Sequence, residues 1–274
     1  MREILTSDDE LFTCCNLNCH DLPFVISIPH SGTKITKKMN DQLLDDVVLT
    51  NMDWYLPELY DFLKDLRFTV IINNISRYVI DPNHKINACI GTSYTTNLVY
   101  KETTQGYPMY KDNITNEEIN ERITTFYKPY HGIIQKAIDE KLKYYNKVYL
   151  IDLHSFGKDE GGDVIIGNRH GRTASNEYFK LIRELLENQD FKVTENRPFS
   201  GGYITSHYGK QKRCEVTQIE LWYQKYIDKR EFGNEELPVI NRKLFKETKQ
   251  KMYFFFLELI KRVRGKNGNK KSRN

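Results

Sequence analysis

Twice in this chain a short run of branched apolar residues gives way abruptly to a histidine. Phe24-Val-Ile-Ser-Ile-Pro29 leads into His30-Ser31-Gly32, and Val148-Tyr-Leu-Ile-Asp152 leads into Leu153-His154-Ser155. Runs of this kind, apolar on both faces, are the mark of strands in a sheet covered on both sides by helices. Trp54–Leu66 carries apolar residues at helical spacing before a further buried-strand run, Phe68–Ile72, so the chain opens as β-α-β. Asp163–Ile166, Phe191–Val193 and Val216–Leu221 read as strands and Ala174–Leu186 as a helix. Thr115 with Glu118 forms a capping box for a helix carrying Ile119, Ile123, Phe126, Ile133, Ile134, Ala137 and Ile138, which Pro129 kinks or divides. Pro238 suits the first residue of a final helix reaching Val263. The alternation specifies one α/β domain over residues 1–263, with a mixed, mostly parallel sheet between helices on both faces.

With 274 residues the chain is near the upper size for a single core, and its eighteen Tyr and fourteen Phe suit a packed globule. The net charge of +4 rests on the end of the chain, where Lys261, Arg262, Arg264, Lys266, Lys270, Lys271 and Arg273 occur without an acid. We read 264–274 as a basic, disordered tail, solvated rather than bound to nucleic acid. No apolar run reaches the ~18 residues of a membrane span, and MREILTSDDE lacks the pattern of a secretory signal, so a soluble, cytoplasmic protein is expected. Cys14, Cys15, Cys19 and His20 crowd together without the spacing of a structural zinc site and read as free thiols beside a histidine.

Active sites of α/β proteins form where parallel strands end, so His30 and His154 are expected to converge. Catalytic zinc commonly takes two histidines and one carboxylate and keeps a position open for water. Asp53 is the first choice for the carboxylate, although its place before a helical stretch equally suits an N-cap. Asp152, two residues before His154, faces the same side of its strand and is either a partner behind a ligand or a substitute ligand. Glu220 sits in the apolar strand Gln218-Ile-Glu-Leu221, where a carboxylate requires an ion-pair partner or a chemical task.

Six motifs occur in order: Ile28-Pro-His-Ser-Gly32; Met52-Asp-Trp54 with Glu58-Leu-Tyr60; Ser76-Arg-Tyr-Val-Ile-Asp-Pro-Asn83; Asp152-Leu-His-Ser155; Gly201-Gly-Tyr-Ile-Thr205 with His207-Tyr-Gly209; and Gln218-Ile-Glu-Leu221. Each is weak alone, but the succession resembles the N-formylglutamate amidohydrolase family over about residues 24–228. The Arg-Tyr-x-x-Asp-x-Asn and Asp-x-His-Ser portions are also similar to aspartoacylases and zinc carboxypeptidases, which implies a zinc-carboxypeptidase-like fold around one zinc ion. The resemblance implies hydrolysis of N-formyl-L-glutamate, or a similar small N-acyl amino acid, to formate and L-glutamate, an activity of histidine degradation. It implies metal ligation by His30, Asp53 and His154, a general base at Glu220 and oxyanion stabilisation by Arg77. Asn83, His84, Arg169 and Tyr203 are the candidate substrate-binding residues.

The chain departs from the family at His84, where an arginine that grips the substrate carboxylate is expected. An imidazole cannot form the bidentate clamp of a guanidinium, and Arg169 or Arg172 is the candidate replacement. Gly201-Gly202 serves either a plain turn or a close backbone approach, with Tyr203 and His207 as pocket walls. Two rivals stand beside the main reading: a zinc peptidase or deacylase acting on another small amide, and a catalytically silent binding protein of the same fold. Iron, cobalt and manganese suit the same ligands, and the oligomeric state is not set by these features.

Overall fold

The computed structural model describes residues 2–88, 90–228 and 238–266. Its strands are β1 (Phe12–Cys15), β2 (Phe24–Ile28), β3 (Thr69–Asn73), β4 (Ile90–Gly91), β5 (Val99–Tyr100), β6 (Val148–Phe156), β7 (Val164–Gly167), β8 (Val193–Glu195) and β9 (Cys214–Trp222). The helices are α1 (Lys37–Gln42), α2 (Leu56–Leu59), α3 (Asn116–Arg122), α4 (Lys128–Leu142), α5 (Asn176–Glu187), α6 (Tyr203–Tyr208) and α7 (Arg242–Lys266). Seven strands form one sheet in the order β1-β3-β2-β6-β9-β7-β8, and β4 pairs with β5 apart from it. β2 runs parallel to β3 and β6, β6 to β9, and β7 to β8, while β1 on β3 and β7 on β9 are antiparallel. The expected mixed, mostly parallel α/β sheet is the one observed.

The two-residue pleat of the strands divides the core. Phe24, Ile26 and Ile28 join Tyr149, Ile151, Leu153, Ile219 and Leu221 in a cluster with Leu181 and Leu185 of α5 and Phe255, Phe256 and Leu259 of α7. Val25, Val148, Leu150, Cys214 and Val216 turn the other way, onto Tyr130, Ile134, Ala137 and Ile138 of α4 and Ile204 and Tyr208 of α6. On this second face the apolar series stops partway along each central strand. Val148 and Leu150 are followed by Asp152 and His154, and Cys214 and Val216 by Gln218 and Glu220, all buried. The parallel register sets Asp152 beside Gln218 and His154 beside Glu220, so polar groups cluster where both strands end.

Several boundaries differ from expectation for local reasons. Only Leu56–Leu59 of the stretch 54–66 is α-helical; a 3-10 turn, Asp61–Leu63, follows, and Arg67 at φ 69° ends the segment. The last helix begins at Arg242 rather than Pro238, because Ile240 bridges to Ile227 and the Asn241 side chain accepts from Leu244 N at 3.0 Å as the cap. That helix continues to Lys266, and the basic residues beyond it lie outside the described chain. Ahead of Pro129 the helix widens into a π turn, Ile123–Tyr127, and α4 starts afresh with the proline in its first turn. Thr115 caps α3 by accepting from Glu118 N at 3.2 Å, but the Glu118 carboxylate binds Arg122 at 2.6 Å and Gln42 at 2.9 Å instead of returning to the cap.

Candidate metal centre and cleft

β2 delivers His30 at its end, and the His30 carbonyl accepts from Asp53 N at 3.1 Å, which fastens the loop before α2 to the sheet edge. Ser31 Oγ donates to the Asp53 carbonyl at 2.7 Å. Asp53 Oδ2 then lies 2.9 Å from His154 Nδ1 and 3.8 Å from His30 Nδ1. Asp53 does not cap α2, whose cap position is Tyr55 without a side-chain bond; its second oxygen accepts from Ser155 Oγ at 3.4 Å. One donor atom from each of the buried residues His30, Asp53 and His154 falls within 4.8 Å of the others, the spacing of a metal-binding trio. The cysteine-rich segment makes no such group: Cys14 and Cys15 lie in β1 as free thiols, Cys19 is buried, and His20 stacks on Tyr144.

Each histidine is held from behind. His30 Nε2 meets Asp81 Oδ1 at 2.8 Å and His154 Nε2 meets Asp152 Oδ2 at 3.0 Å, which turns both Nδ1 atoms toward Asp53. Asp152 therefore stands behind a histidine rather than in its place, and it also accepts from Ser27 Oγ at 2.8 Å. Asp81 gathers more partners: Arg77 Nη2 at 2.9 Å, Asn83 N at 2.7 Å and the Tyr100 hydroxyl. Asp81 and Tyr100 escaped the sequence reading. The signal for Asp81 was an acid inside a quoted motif, whereas Tyr100 sits in a two-residue strand without periodicity.

The carboxylates of Asp53, Asp81, Asp152 and Glu220 are all buried here, and the Arg77 guanidinium pairs with Asp81 at 2.9 Å. Burial opposes ionisation of Asp81, yet the charges of His30, His84 and Arg77 hold its carboxyl well below the usual range. Asp53 is likewise desolvated and held low by His154, His30 and Arg77. Desolvation works against a charged His154, but Asp152 and Asp53 raise its proton affinity well above the ordinary value. Burial and the Arg77 charge lower that of His30. An imidazole with a carboxylate against each nitrogen requires positive charge on both sides, which a proton or a metal ion at Nδ1 supplies. Two imidazole nitrogens and one carboxylate oxygen, amid excess buried negative charge, fit a divalent cation such as zinc.

The trio opens into a cleft of about 800 Å³ lined also by Arg77, Asn83, His84, Arg169, Tyr203 and Glu220. Burial pushes the Glu220 carboxyl up to about 8, against the pull of His154. Asn83 Nδ2 lies 3.3 Å from His154 Nε2, and Asn83 is clamped to α6 by bonds from Ile204 N at 2.9 Å and Tyr203 N at 3.0 Å. The paired glycines serve a close approach: a Cβ on Gly202 would stand 2.3 Å from Asn83 Nδ2, and Gly201 takes φ 113°. His84 Nδ1 is 2.5 Å from the Asn97 carbonyl, so this nitrogen donates. Arg169 Nη1 donates to the Gly201 carbonyl at 2.9 Å, while Arg172 is exposed at the rim and the Tyr203 hydroxyl pairs with His207 Nδ1 at 3.1 Å. No described helix is long and apolar enough to cross a membrane.

Residues 22–227 match the family described as N-formylglutamate amidohydrolase. The chain is similar to the N-formylglutamate deformylase of Pseudomonas putida, with 28% identity over 223 residues, covering 77% of this chain and 84% of that one. It is similar also to that of Pseudomonas aeruginosa, with 27% identity over 220 residues, covering 76% and 83%. Its fold is shared by the crystal structure of an N-formylglutamate amidohydrolase from Ralstonia eutropha JMP134, at a TM-score of 0.75 and 20% identity over 92% of this chain and 99% of that one. An Agrobacterium tumefaciens protein superposes at a TM-score of 0.69 and 14% identity, covering 94% and 96%.

Proposed function

The chain belongs to the N-formylglutamate amidohydrolase family, and from that premise we propose that it hydrolyses N-formyl-L-glutamate, or a closely similar N-acyl amino acid, to formate and L-glutamate in the cytoplasm. The observation that carries this reading is the buried trio His30, Asp53 and His154 sharing one cleft with Glu220 and Arg77. The trio would hold one zinc ion, which when bound polarises an amide carbonyl and lowers the pKa of water. Glu220 takes a proton from the attacking water and returns it to the leaving nitrogen; its burial favours the protonated form that the second transfer needs. Arg77, fixed by Asp81 and Tyr100, offers a permanent charge to the oxyanion. Asn83 orients the amide, Arg169 takes a substrate carboxylate, and Tyr203 walls the cleft.

His84 favours a second substrate, another small N-acyl amino acid cleaved by the same chemistry. With Nδ1 donating to Asn97, the ring has one nitrogen left and cannot grip a carboxylate as an arginine does. Metal content and release of formate and glutamate, measured on one purified sample, test the reading. About one zinc per chain with turnover supports it; zinc without formate release moves the substrate to other N-acyl amino acids. Glu220→Gln should keep the metal and lose about 100-fold or more in kcat, and near-parental turnover would remove Glu220 from the role of base.

A further inference from the structure

We propose that Gln218 is the positioning residue of the base: it occupies Glu220 Oε1 and so assigns the transferred proton to Oε2. The inference rests on the reading of Glu220 as general base. Gln218 is buried, lines the cleft and lies two residues before Glu220 on the same face of β9. Its Oε1 accepts from Gly202 N at 3.0 Å, and its Nε2 lies 2.7 Å from Glu220 Oε1.

The orientation of the amide follows from chemistry. A backbone N–H can only donate, so the Gln218 atom facing Gly202 is the oxygen and the atom facing Glu220 is the NH2 group. An NH2 group only donates, so Glu220 Oε1 accepts whether or not the carboxyl carries a proton. Oε2 is then the site of exchange. In the reaction an O–H bond of water breaks and its proton goes to Oε2, the hydroxide oxygen adds to the carbonyl carbon, and the C–N bond breaks with its electron pair left on nitrogen. That nitrogen receives the proton from Oε2, and Glu220 returns to its starting form.

The far end of the amide is also fixed. Gly202 is wedged against Asn83, where a Cβ would stand 2.3 Å from Nδ2, and the neighbouring Gly201 carbonyl accepts from Arg169 Nη1 at 2.9 Å. Gln218 therefore ties the carboxylate of the base to the Gly201–Gly202 turn, against which Asn83 and Arg169 are held, and it acts on catalysis through Glu220 rather than on the substrate.

The test is a double-mutant cycle on the metal-loaded enzyme with N-formyl-L-glutamate. Gln218→Met, close in size but without the amide, should lower kcat about 10- to 100-fold and leave KM, metal content and thermal midpoint near parental values. In the Glu220→Gln background the same change should alter kcat by less than about twofold, because its effect runs through the missing carboxylate. Gln218→Asn, an amide too short to span both partners, should fall like Gln218→Met, and it decides the matter if the methionine variant does not fold. Full kcat in either folded variant, a rise in KM in place of the loss of kcat, or additive losses in the cycle would overturn the proposal. Parental turnover in Glu220→Gln alone would instead overturn the underlying role of Glu220.

Discussion

Asp53 and His154, 101 positions apart in the chain, meet with Oδ2 2.9 Å from Nδ1, while the other nitrogen of the same imidazole lies 3.0 Å from Asp152. Held between two carboxylates, His154 keeps a proton well above the ordinary histidine range. A metal ion taking Nδ1 must displace that proton. Zinc binding near pH 7 should therefore release about one proton per ion. Calorimetric titrations in buffers of different ionisation enthalpy measure this directly, and a heat independent of the buffer would exclude His154 as a ligand through Nδ1.

Asp81 and Asp152 hold the imidazoles without being placed to ligate. Asp81→Asn and Asp152→Asn should each weaken zinc about 10- to 100-fold while the fold persists. Competition with a chromogenic chelator reads the affinity. Parental affinity in both variants would show that the histidines need no support from these carboxylates.

Arg169 is anchored by one nitrogen to Gly201 and lines the cleft. Replacing it by methionine should raise KM for N-formyl-L-glutamate about 10- to 100-fold, the scale of a hydrogen bond to a charged group, and affect kcat less. His84→Arg should lower KM for the same compound and leave a substrate with an uncharged side chain unaffected. Steady-state kinetics on N-formyl-L-glutamate and N-formyl-L-glutamine separate the two effects.

His131 of α4 packs against α6, with Nε2 2.9 Å from the Pro82 carbonyl and Nδ1 2.9 Å from the Tyr208 hydroxyl. Burial lowers its pKa from 6.5 to about 4. Because the unfolded chain binds this proton first, the stability due to neutral His131 is complete above pH 6.5 and is lost as the pH falls to about 4. The loss over that window should be roughly 3 kcal/mol. Denaturant unfolding at pH 7 and pH 4.5 should show a smaller acid loss in His131→Gln than in the parent, and an equal loss would place the sensitivity elsewhere.

Much of this was legible in the chain itself. Local apolar runs read out as β2, β3, β6 and β9, because a strand covered on both faces must be apolar at successive positions and that constraint is written residue by residue. The abrupt polar endings marked His30 and His154, and a lone acid inside an apolar strand marked Glu220. Boundaries slipped where a contact distant in sequence overrode a local preference, as when the bridge from Ile227 to Ile240 delayed the last helix beyond Pro238. β1 carries no pattern of its own and becomes a strand by pairing with β3.

The tertiary structure decided what the acids do. Spacing left Asp53 either a helix cap or a ligand, and Asp152 a support or a substitute ligand ranked behind Asp53. The parallel register that sets His154 beside Glu220, with the loop holding Asp53 against His30, brings Asp53 Oδ2 up to both imidazoles and leaves Asp152 behind His154. Asp81, Tyr100 and Gln218 acquire their partners only through that assembly. A sequence reports the periodicity with which side chains leave its own backbone, but which carboxylate meets which imidazole depends on distances between strands, and those exist only once the sheet has formed.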